Sequence, residues 1–301
     1  MILETLTLWP DRPDVTLTAY VHEDSPMLLA GKKRPAVIVC PGGAYMVCAE
    51  TEGEPVALQF AAMGYHAFVL HYSVYRSAMA QAEPGQEICY ETMYPSPALD
   101  IGMAVLKLRE KAEEWHIDTE RIALCGFSAG AHNCAMYLTG YATEEIAASL
   151  EAEPEMLRPA AAVLGYGLYD CAPLGAQVPD PQIQGMNRAM CMALLGQRQP
   201  SPQLLEAISP IYRANPAVPP CFLWATSEDP VVPVYNTLVM AASLSEQGVP
   251  VEVHVFEHGP HAMATADQVS ASDREHMDPD AAKWLSLADA WLKKRLALPV
   301  E

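Results

Sequence analysis

Arg121-Ile-Ala-Leu-Cys-Gly-Phe-Ser-Ala-Gly-Ala131 joins an apolar run to a Gly-x-Ser-x-Gly pentapeptide, and a helical pattern follows it. In a strand, sharp turn and helix of this kind, the central serine is held exposed in a strained conformation. Small residues two positions away on either side let the flanking chain pass. The pattern predicts that Ser128 is a nucleophile. A glycine-rich helix start without chemistry is the alternative interpretation.

Short apolar runs alternate with helical patterns on both sides of this stretch. They lie at residues 36–40, 66–70, 121–125, 160–164, 220–226 and 251–256. Runs of this kind suit strands buried on both faces, which indicates a parallel sheet covered by helices. Residues 3–9 and 15–21 alternate instead as half-exposed antiparallel strands do. The order predicts an α/β fold, with an antiparallel N-terminal strand pair, a mostly parallel sheet and helices on both faces.

The helices are predicted from their spacing and from their boundary residues. Helical spacing of apolar residues covers 97–114, 233–248 and 280–298. Thr51-Glu-Gly-Glu54 has the spacing of a capping box, and Gly64 is placed to end the helix that it would begin. Residues 73–96 and 170–219 interrupt this alternation of strand and helix patterns after the fourth and sixth strands. Because ligands bind at the carboxyl ends of such strands, we expect these two insertions to form a small cap.

A serine hydroxyl needs a base within hydrogen-bond reach, and that base needs an orienting acid. After the strand at 220–226 comes Ser227-Glu-Asp229-Pro, so Asp229 is the predicted acid and Glu228 the fallback. After the strand at 251–256 comes Glu257-His-Gly-Pro-His261, so His261 is the predicted base. His258 is its competitor. The order Ser, acid, His is the one typical of a serine in this strand-turn-helix context.

The tetrahedral intermediate of acyl transfer needs hydrogen-bond donors for its oxyanion. The backbone N–H of Ala129, next after the nucleophile, is one candidate. The loop after the third strand reads Cys40-Pro-Gly-Gly-Ala-Tyr45, which makes the N–H groups of Gly43 and Ala44 the others. A plain tight turn is the alternative.

These residues together resemble the hormone-sensitive-lipase-like branch of the α/β-hydrolases, and within it bacterial esterases related to acetylxylan esterases, often labelled xylanase-like or carbohydrate esterases. The matching stretches are Pro41-Gly-Gly-Ala-Tyr45, Glu52-Gly-Glu-Pro-Val-Ala57, Gly64-Tyr-His-Ala-Phe-Val-Leu70, Gly126-Phe-Ser-Ala-Gly-Ala-His132, Asp229-Pro-Val-Val-Pro233 and Phe256-Glu-His-Gly-Pro-His261. They span nearly the whole chain, which implies a single domain over residues 1–301. Ala44, Ala131 and Gly259-Pro260-His261-Ala262 depart from glycine patterns usual in the family.

The resemblance implies cleavage of acetyl or other short acyl esters on carbohydrate fragments, without a metal or a cofactor. Several tyrosines fall near the predicted site loops, namely Tyr45, Tyr72, Tyr75, Tyr90, Tyr94, Tyr166 and Tyr169. Of these, Tyr45, Tyr75 and Tyr169 are the candidates for contacting a sugar or aryl face, with ordinary packing as the alternative. Aryl esters, lactones and peptides are the alternative substrates for the same residues. A binding protein of this fold that has no activity is the alternative of another class.

The amino-acid composition and charge limit the classes of binding partner that we expect. Acidic residues outnumber basic ones, 37 to 18, for a formal net charge of −19, so we expect no nucleic acid or membrane partner. The N-terminus lacks the features of a secretion signal, and the eight cysteines are dispersed, so we expect a cytoplasmic protein with free thiols. His254, His258 and His261 have no partner at metal-ligand spacing. The exposed sheet edge is compatible with a homodimer.

Overall fold

A computed structural model describes residues 1–76 and 88–297. Its strands are β1 (Ile2–Trp9), β2 (Arg12–Val21), β3 (Arg34–Cys40), β4 (His66–His71), β5 (Ile117–Phe127), β6 (Ala161–Gly165), β7 (Cys221–Thr226) and β8 (Val251–Phe256). They form one sheet in the order β1-β2-β4-β3-β5-β6-β7-β8. β2 pairs antiparallel with β1 and β4, and the remaining neighbours are parallel. The predicted mostly parallel sheet with an antiparallel N-terminal strand pair is confirmed.

The α-helices of the described residues are α1 (Glu54–Ala62), α2 (Ser96–Glu110), α3 (Ala129–Gly140), α4 (Glu144–Ala147), α5 (Pro154–Leu157), α6 (Pro181–Leu195), α7 (Pro202–Ala207), α8 (Tyr235–Glu246) and α9 (Trp284–Leu296). The helix predicted over 97–114 ends four residues early, after which the chain turns and Trp115 stacks on Phe68. The helices predicted at 233–248 and 280–298 are shorter at both ends, and residue 298 lies outside the described residues.

Helices cover both faces of the sheet, as the buried strands predicted. One apolar cluster packs α2, α3 and α8 on one face, and it includes Ile101, Tyr137 and Leu244. A second cluster packs α1 and α9 on the other face, and it includes Phe60 and Trp291. Every residue of β3 is buried, because this strand lies in the middle of the sheet with helices above and below it. Such burial fixes the strand ends that carry the site residues.

The start of α1 differs from the prediction. The capping box at Thr51–Glu54 is wrong, since Gly53 is the N-cap residue and no side chain caps the helix. The side chain of Glu52 is buried instead, with only 1% of the residue exposed. The side chain of Glu52 therefore lies in the interior of the protein and does not cap the N-terminus of α1.

The segment after β6 lies over the carboxyl ends of the strands. It contains α6 and α7, and the N-cap of α6 is Asp180, whose carboxylate accepts hydrogen bonds from the backbone N–H groups of Gln182 and Ile183. Met190, Cys191 and Leu194 of α6 pack into the core below. Of the other predicted cap segment, residues 77–87 lie outside the described residues.

The eight cysteines are free thiols, and seven of them are buried. In the part of the chain that the structure describes, no helix has the length and apolar character needed to cross a bilayer.

Candidate active site

Ser128 lies at the turn between β5 and α3. Its backbone has φ 49° and ψ −119°, a conformation that costs a non-glycine residue about 1–3 kcal/mol. Its N–H donates to the carbonyl oxygen of Gly165 on the neighbouring strand at 3.0 Å, which helps to hold the turn. A Cβ at Gly130 would collide with the carbonyl oxygens of Cys40 and Pro41. Only glycine at position 130 lets α3 start this close to β3.

The structure brings Ser128, His261 and Asp229 together in one hydrogen-bonded chain. Ser128 Oγ lies 2.8 Å from His261 Nε2, and His261 Nδ1 lies 2.6 Å from Asp229 Oδ2. Because a carboxylate only accepts, Nδ1 carries the proton and Nε2 is left to accept from the serine hydroxyl. Asp229 Oδ1 accepts from the N–H groups of Val231 and Val232 at 2.8 and 2.9 Å, which fixes the carboxylate. This arrangement can deprotonate the serine as it attacks.

The fallback residues lie elsewhere. Glu228 and His258 pair with each other at 3.1 Å on the surface, and both side chains are about 60% exposed. His254 bonds to Glu252 at 3.1 Å on the edge strand β8. The three histidines thus have three separate partners.

The loop after β3 lies directly against the nucleophile. A Cβ at Gly42 would stand 2.8 Å from Ser128 Cβ. Gly43 has φ +119°, and Ala44 has φ +53°, so the chain turns sharply at this point. The carbonyl of Gly43 accepts from the N–H groups of Met46 and Val47 at 2.9 and 3.2 Å. The predicted oxyanion residues Gly43, Ala44 and Ala129 line the same cavity as Ser128.

This cavity has a volume of about 680 Å³ and is lined mainly by apolar side chains. The segment after β6 and the loop after β7 supply most of that lining: Leu168, Pro173, Leu174, Val178, Pro179, Ile183, Met186, Met190, Pro230, Val231, Val232 and Pro233. Walls of this kind suit an apolar substrate group, with few polar side chains to orient it.

The tyrosines predicted to contact substrate do not line this cavity. Tyr169 is fully buried, and Tyr75 lines a neighbouring cavity of about 280 Å³. Tyr45 is 1% exposed, and its hydroxyl donates to His132 Nδ1 at 2.6 Å. Burial lowers the pKa of His132 to about 4, so its ring stays neutral, and Nε2–H donates to the carbonyl of Ile208 at 2.7 Å. Tyr45 therefore ties the loop after β3 to α3.

Sequence reasoning missed two residues of the site, Tyr235 and Glu52, and placed Tyr166 only among the tyrosines near the predicted site loops. Tyr235 lines the cavity and is 54% exposed at the start of α8. The ring of Tyr166 packs edge-on against the ring of His261, with centroids 5.2 Å apart. Glu52 lines the cavity beside Ser128 and is buried. Two signals pointed to Glu52: it is an acidic residue shortly after the glycine loop, which resembled a helix cap, and it begins the family-like stretch Glu52-Gly-Glu-Pro-Val-Ala57.

Comparisons with known proteins show the family to which the chain belongs. The family described as BD-FAE matches residues 27–244. The chain is 30% identical over 255 residues to endo-1,4-beta-xylanase B of Butyrivibrio fibrisolvens, a match that covers 83% of this chain and 35% of that protein. The chain spans about a third to a half of the length of the curated relatives it matches.

Two solved structures resemble the whole chain. A carboxylesterase from Lactobacillus plantarum superposes with a TM-score of 0.80 at 24% identity, covering 100% of both chains, and shows the shared fold. An acetyl ester-xyloside bifunctional hydrolase from Caldicellulosiruptor lactoaceticus superposes with a TM-score of 0.73 at 29% identity, covering 97% of this chain and 96% of that one.

Proposed function

Because the chain belongs to the BD-FAE family of α/β-hydrolases, we propose that it is a serine carboxylic ester hydrolase with Ser128 as nucleophile, His261 as general base and Asp229 as orienting acid. The observation that carries the proposal is the hydrogen-bonded chain from Ser128 through His261 to Asp229 in the wall of a large cavity.

In the first half-reaction, Ser128 Oγ attacks the ester carbonyl carbon while His261 Nε2 takes the hydroxyl proton. The C–O bond to the alcohol then breaks, and His261 returns the proton to the leaving oxygen. In the second half-reaction, water gives a proton to His261 and attacks the acyl carbon; the bond from that carbon to Ser128 Oγ then breaks, His261 returns the proton to Oγ, and the carboxylic acid leaves. Asp229 holds the ring in the required tautomer throughout.

The oxyanion formed in both half-reactions is proposed to lie among the N–H groups of Gly43, Ala44 and Ala129. This role is supported by the position of the three residues, which line the same cavity as Ser128. The positive φ angles of Gly43 and Ala44 make the turn that brings this loop against the nucleophile. Preorganised donors of this kind contribute most when water is excluded.

We expect Gly43→Ala to lower kcat about 100-fold with little change in KM, the size expected for loss of one oxyanion donor. A Cβ there would collide with the carbonyl oxygen of Val47 at a φ of +119°, so the loop must shift. Gly31→Ala is the matched control, because Gly31 also has a positive φ of +81° but no atom within 4 Å of the added Cβ. Equal kcat losses in the two variants would contradict the assignment.

The first candidate substrate is an acetyl or short-acyl ester of a carbohydrate. Two relatives carry xylan-related names, an endo-1,4-beta-xylanase and an acetyl ester-xyloside bifunctional hydrolase, which supports this candidate. Tyr235, half-exposed in the cavity wall, offers an aromatic face on which a sugar ring could pack.

A second candidate is an ester with a large apolar group, such as an aryl or longer acyl chain. The observation that favours it is the apolar cavity of about 680 Å³, which is far larger than an acetyl group. The segment 173–190 supplies much of the wall, so it would set the choice between the two candidates.

The experiment is hydrolysis of p-nitrophenyl acetate, butyrate and octanoate and of acetylated xylo-oligosaccharides, by the wild type and by Ile183→Trp. Ile183 lies in the cavity wall on α6, so the larger ring fills space next to the site. We expect acetate to be preferred and to be hydrolysed equally by both proteins. A wild-type preference for octanoate that Ile183→Trp reverses by about tenfold or more would establish the second candidate instead. Hydrolysis of no ester and no labelling by a fluorophosphonate would indicate a non-catalytic binding protein.

A further inference from the structure

Glu52 connects the two loops that frame the reacting groups. Its Oε2 accepts from the N–H of Gly42 at 2.6 Å, in the loop after β3. Its Oε1 accepts from the hydroxyl of Tyr166 at 2.9 Å. The same hydroxyl accepts from the N–H of Ala264 at 2.9 Å, in the loop that carries His261. One buried carboxylate therefore fixes the distance between the glycine loop and the histidine loop.

Both carboxylate oxygens accept hydrogen bonds, so these contacts fit the ionised form of Glu52. Burial raises the pKa of Glu52, since a buried negative charge without a cation is costly. The titratable groups that interact with it in the described residues are Cys48, Cys125, Tyr72, Tyr166 and His261. The first four have raised pKa values and stay neutral near pH 7. In this set, His261 alone can carry a positive charge.

We propose that Glu52 is a positioning residue that holds the glycine loop and the histidine loop together through Gly42 and Tyr166 and supplies a second negative charge to the His261 imidazolium. The proposal rests on the serine hydrolase mechanism above.

The negative charge of Glu52 stabilises His261 only while the imidazole ring is protonated. In the resting site His261 is neutral and hydrogen-bonded to Ser128, so the charge of Glu52 is not compensated. When His261 takes the serine proton, a cation forms that is hydrogen-bonded to Asp229 and lies in the same cavity wall as Glu52. Tyr166 lies between the two and contacts both, Glu52 through its hydroxyl and His261 through its ring. An interaction that strengthens only as the transition state forms raises kcat rather than lowering KM.

Glu52→Gln separates charge from shape. The glutamine oxygen can accept from Gly42, and its NH₂ can donate to Tyr166, so the loops stay linked while the charge is lost. With p-nitrophenyl acetate we expect kcat to fall about tenfold or more and KM to stay within about twofold. The groups facing His261 are Ser128, Asp229, Glu52 and the ring of Tyr166. Because a nearby carboxylate favours the protonated ring, we expect the acidic limb of kcat/KM to move to lower pH by roughly 0.5 to 1 unit.

Tyr166→Phe is the complementary variant, since it removes the hydroxyl link but keeps the Glu52 side chain and the ring against His261. We expect kcat to fall without movement of the acidic limb. The rate of Ser128 labelling by a fluorophosphonate gives the same readout without an identified substrate.

Asp100→Asn is the matched control. Asp100 is also a buried carboxylate, 2% exposed, that accepts from the N–H of Ser73 and from Trp9 Nε1, both at 2.7 Å. It lies away from the cavity, so its variant is expected to lose stability without moving the acidic limb. An unmoved limb and unchanged kcat in Glu52→Gln, while Ser128→Ala is inactive, would overturn the role of Glu52 alone. A wild type that neither hydrolyses esters nor reacts with the fluorophosphonate would overturn the proposed function as well.

Discussion

Ser128→Ala is expected to lower kcat toward p-nitrophenyl acetate by about 10⁶-fold, the size measured when a serine nucleophile of this mechanism is removed. The Ser128 hydroxyl lies 2.8 Å from His261 Nε2, so it is the group that the base can deprotonate. Alanine leaves the base without a nucleophile to activate. What activity remains comes from the donors for the oxyanion and from binding, which act on attack by water.

The fold is expected to survive this change. Alanine tolerates the backbone of position 128 about as well as serine does, and the backbone hydrogen bond to Gly165 is kept. Thermal unfolding should therefore show a Tm close to that of the wild type. Ser286→Ala is the control, since Ser286 is exposed on α9 and its hydroxyl bonds only to the carbonyl of Lys283 in the described residues. Ester hydrolysis that persists in Ser128→Ala, or labelling of that variant by a fluorophosphonate, would remove Ser128 from the mechanism.

The sheet and the candidate site could be predicted because each rests on local pattern. Buried strands such as residues 36–40 have a continuous apolar sequence whatever their neighbours are. The sharp turn at Ser128 needs Gly130 for a steric reason that the pentapeptide itself contains. Asp229 and His261 each directly follow a strand, and the carboxyl ends of parallel strands share one edge of the sheet. Residues 133 positions apart in sequence, Ser128 and His261, could thus be placed together.

A cap from residues 170–219 could be expected, but the residues that line the substrate cavity could not be predicted, because its wall comes from contacts between distant segments. Ile183 and Met186 look like ordinary apolar positions of an amphipathic helix, and only the packing of α6 over the strand ends turns them toward Ser128. Tyr45 and Tyr169 are aromatic residues of the type expected to contact a sugar, yet both are buried. Glu52 was missed because an acidic residue next to a helix start is usually solvated, so it was not expected in the wall of the site.

Asp229→Asn is expected to lower kcat about 10⁴-fold with little change in Tm. Oδ1 of Asp229 accepts from the N–H groups of Val231 and Val232, and an asparagine oxygen can keep both bonds. The amide nitrogen must then take the place of Oδ2, which faces His261 Nδ1 at 2.6 Å. An NH₂ group only donates, so Nδ1 has to become the acceptor and the ring proton moves to Nε2. In that tautomer His261 cannot accept the proton of Ser128.

Asp278→Asn tests whether the loss comes from this tautomer rather than from the turn. Asp278 Oδ1 accepts from the N–H groups of Asp280 and Ala281 at 3.0 and 2.7 Å, the same turn geometry as at Asp229. No histidine bonds to it in the described residues, so kcat should equal that of the wild type. The kcat of both variants, measured with p-nitrophenyl acetate, separates the two explanations. A kcat within about tenfold of the wild type in Asp229→Asn would mean that the orientation of His261 is set by its loop and by the ring of Tyr166, and not by the carboxylate.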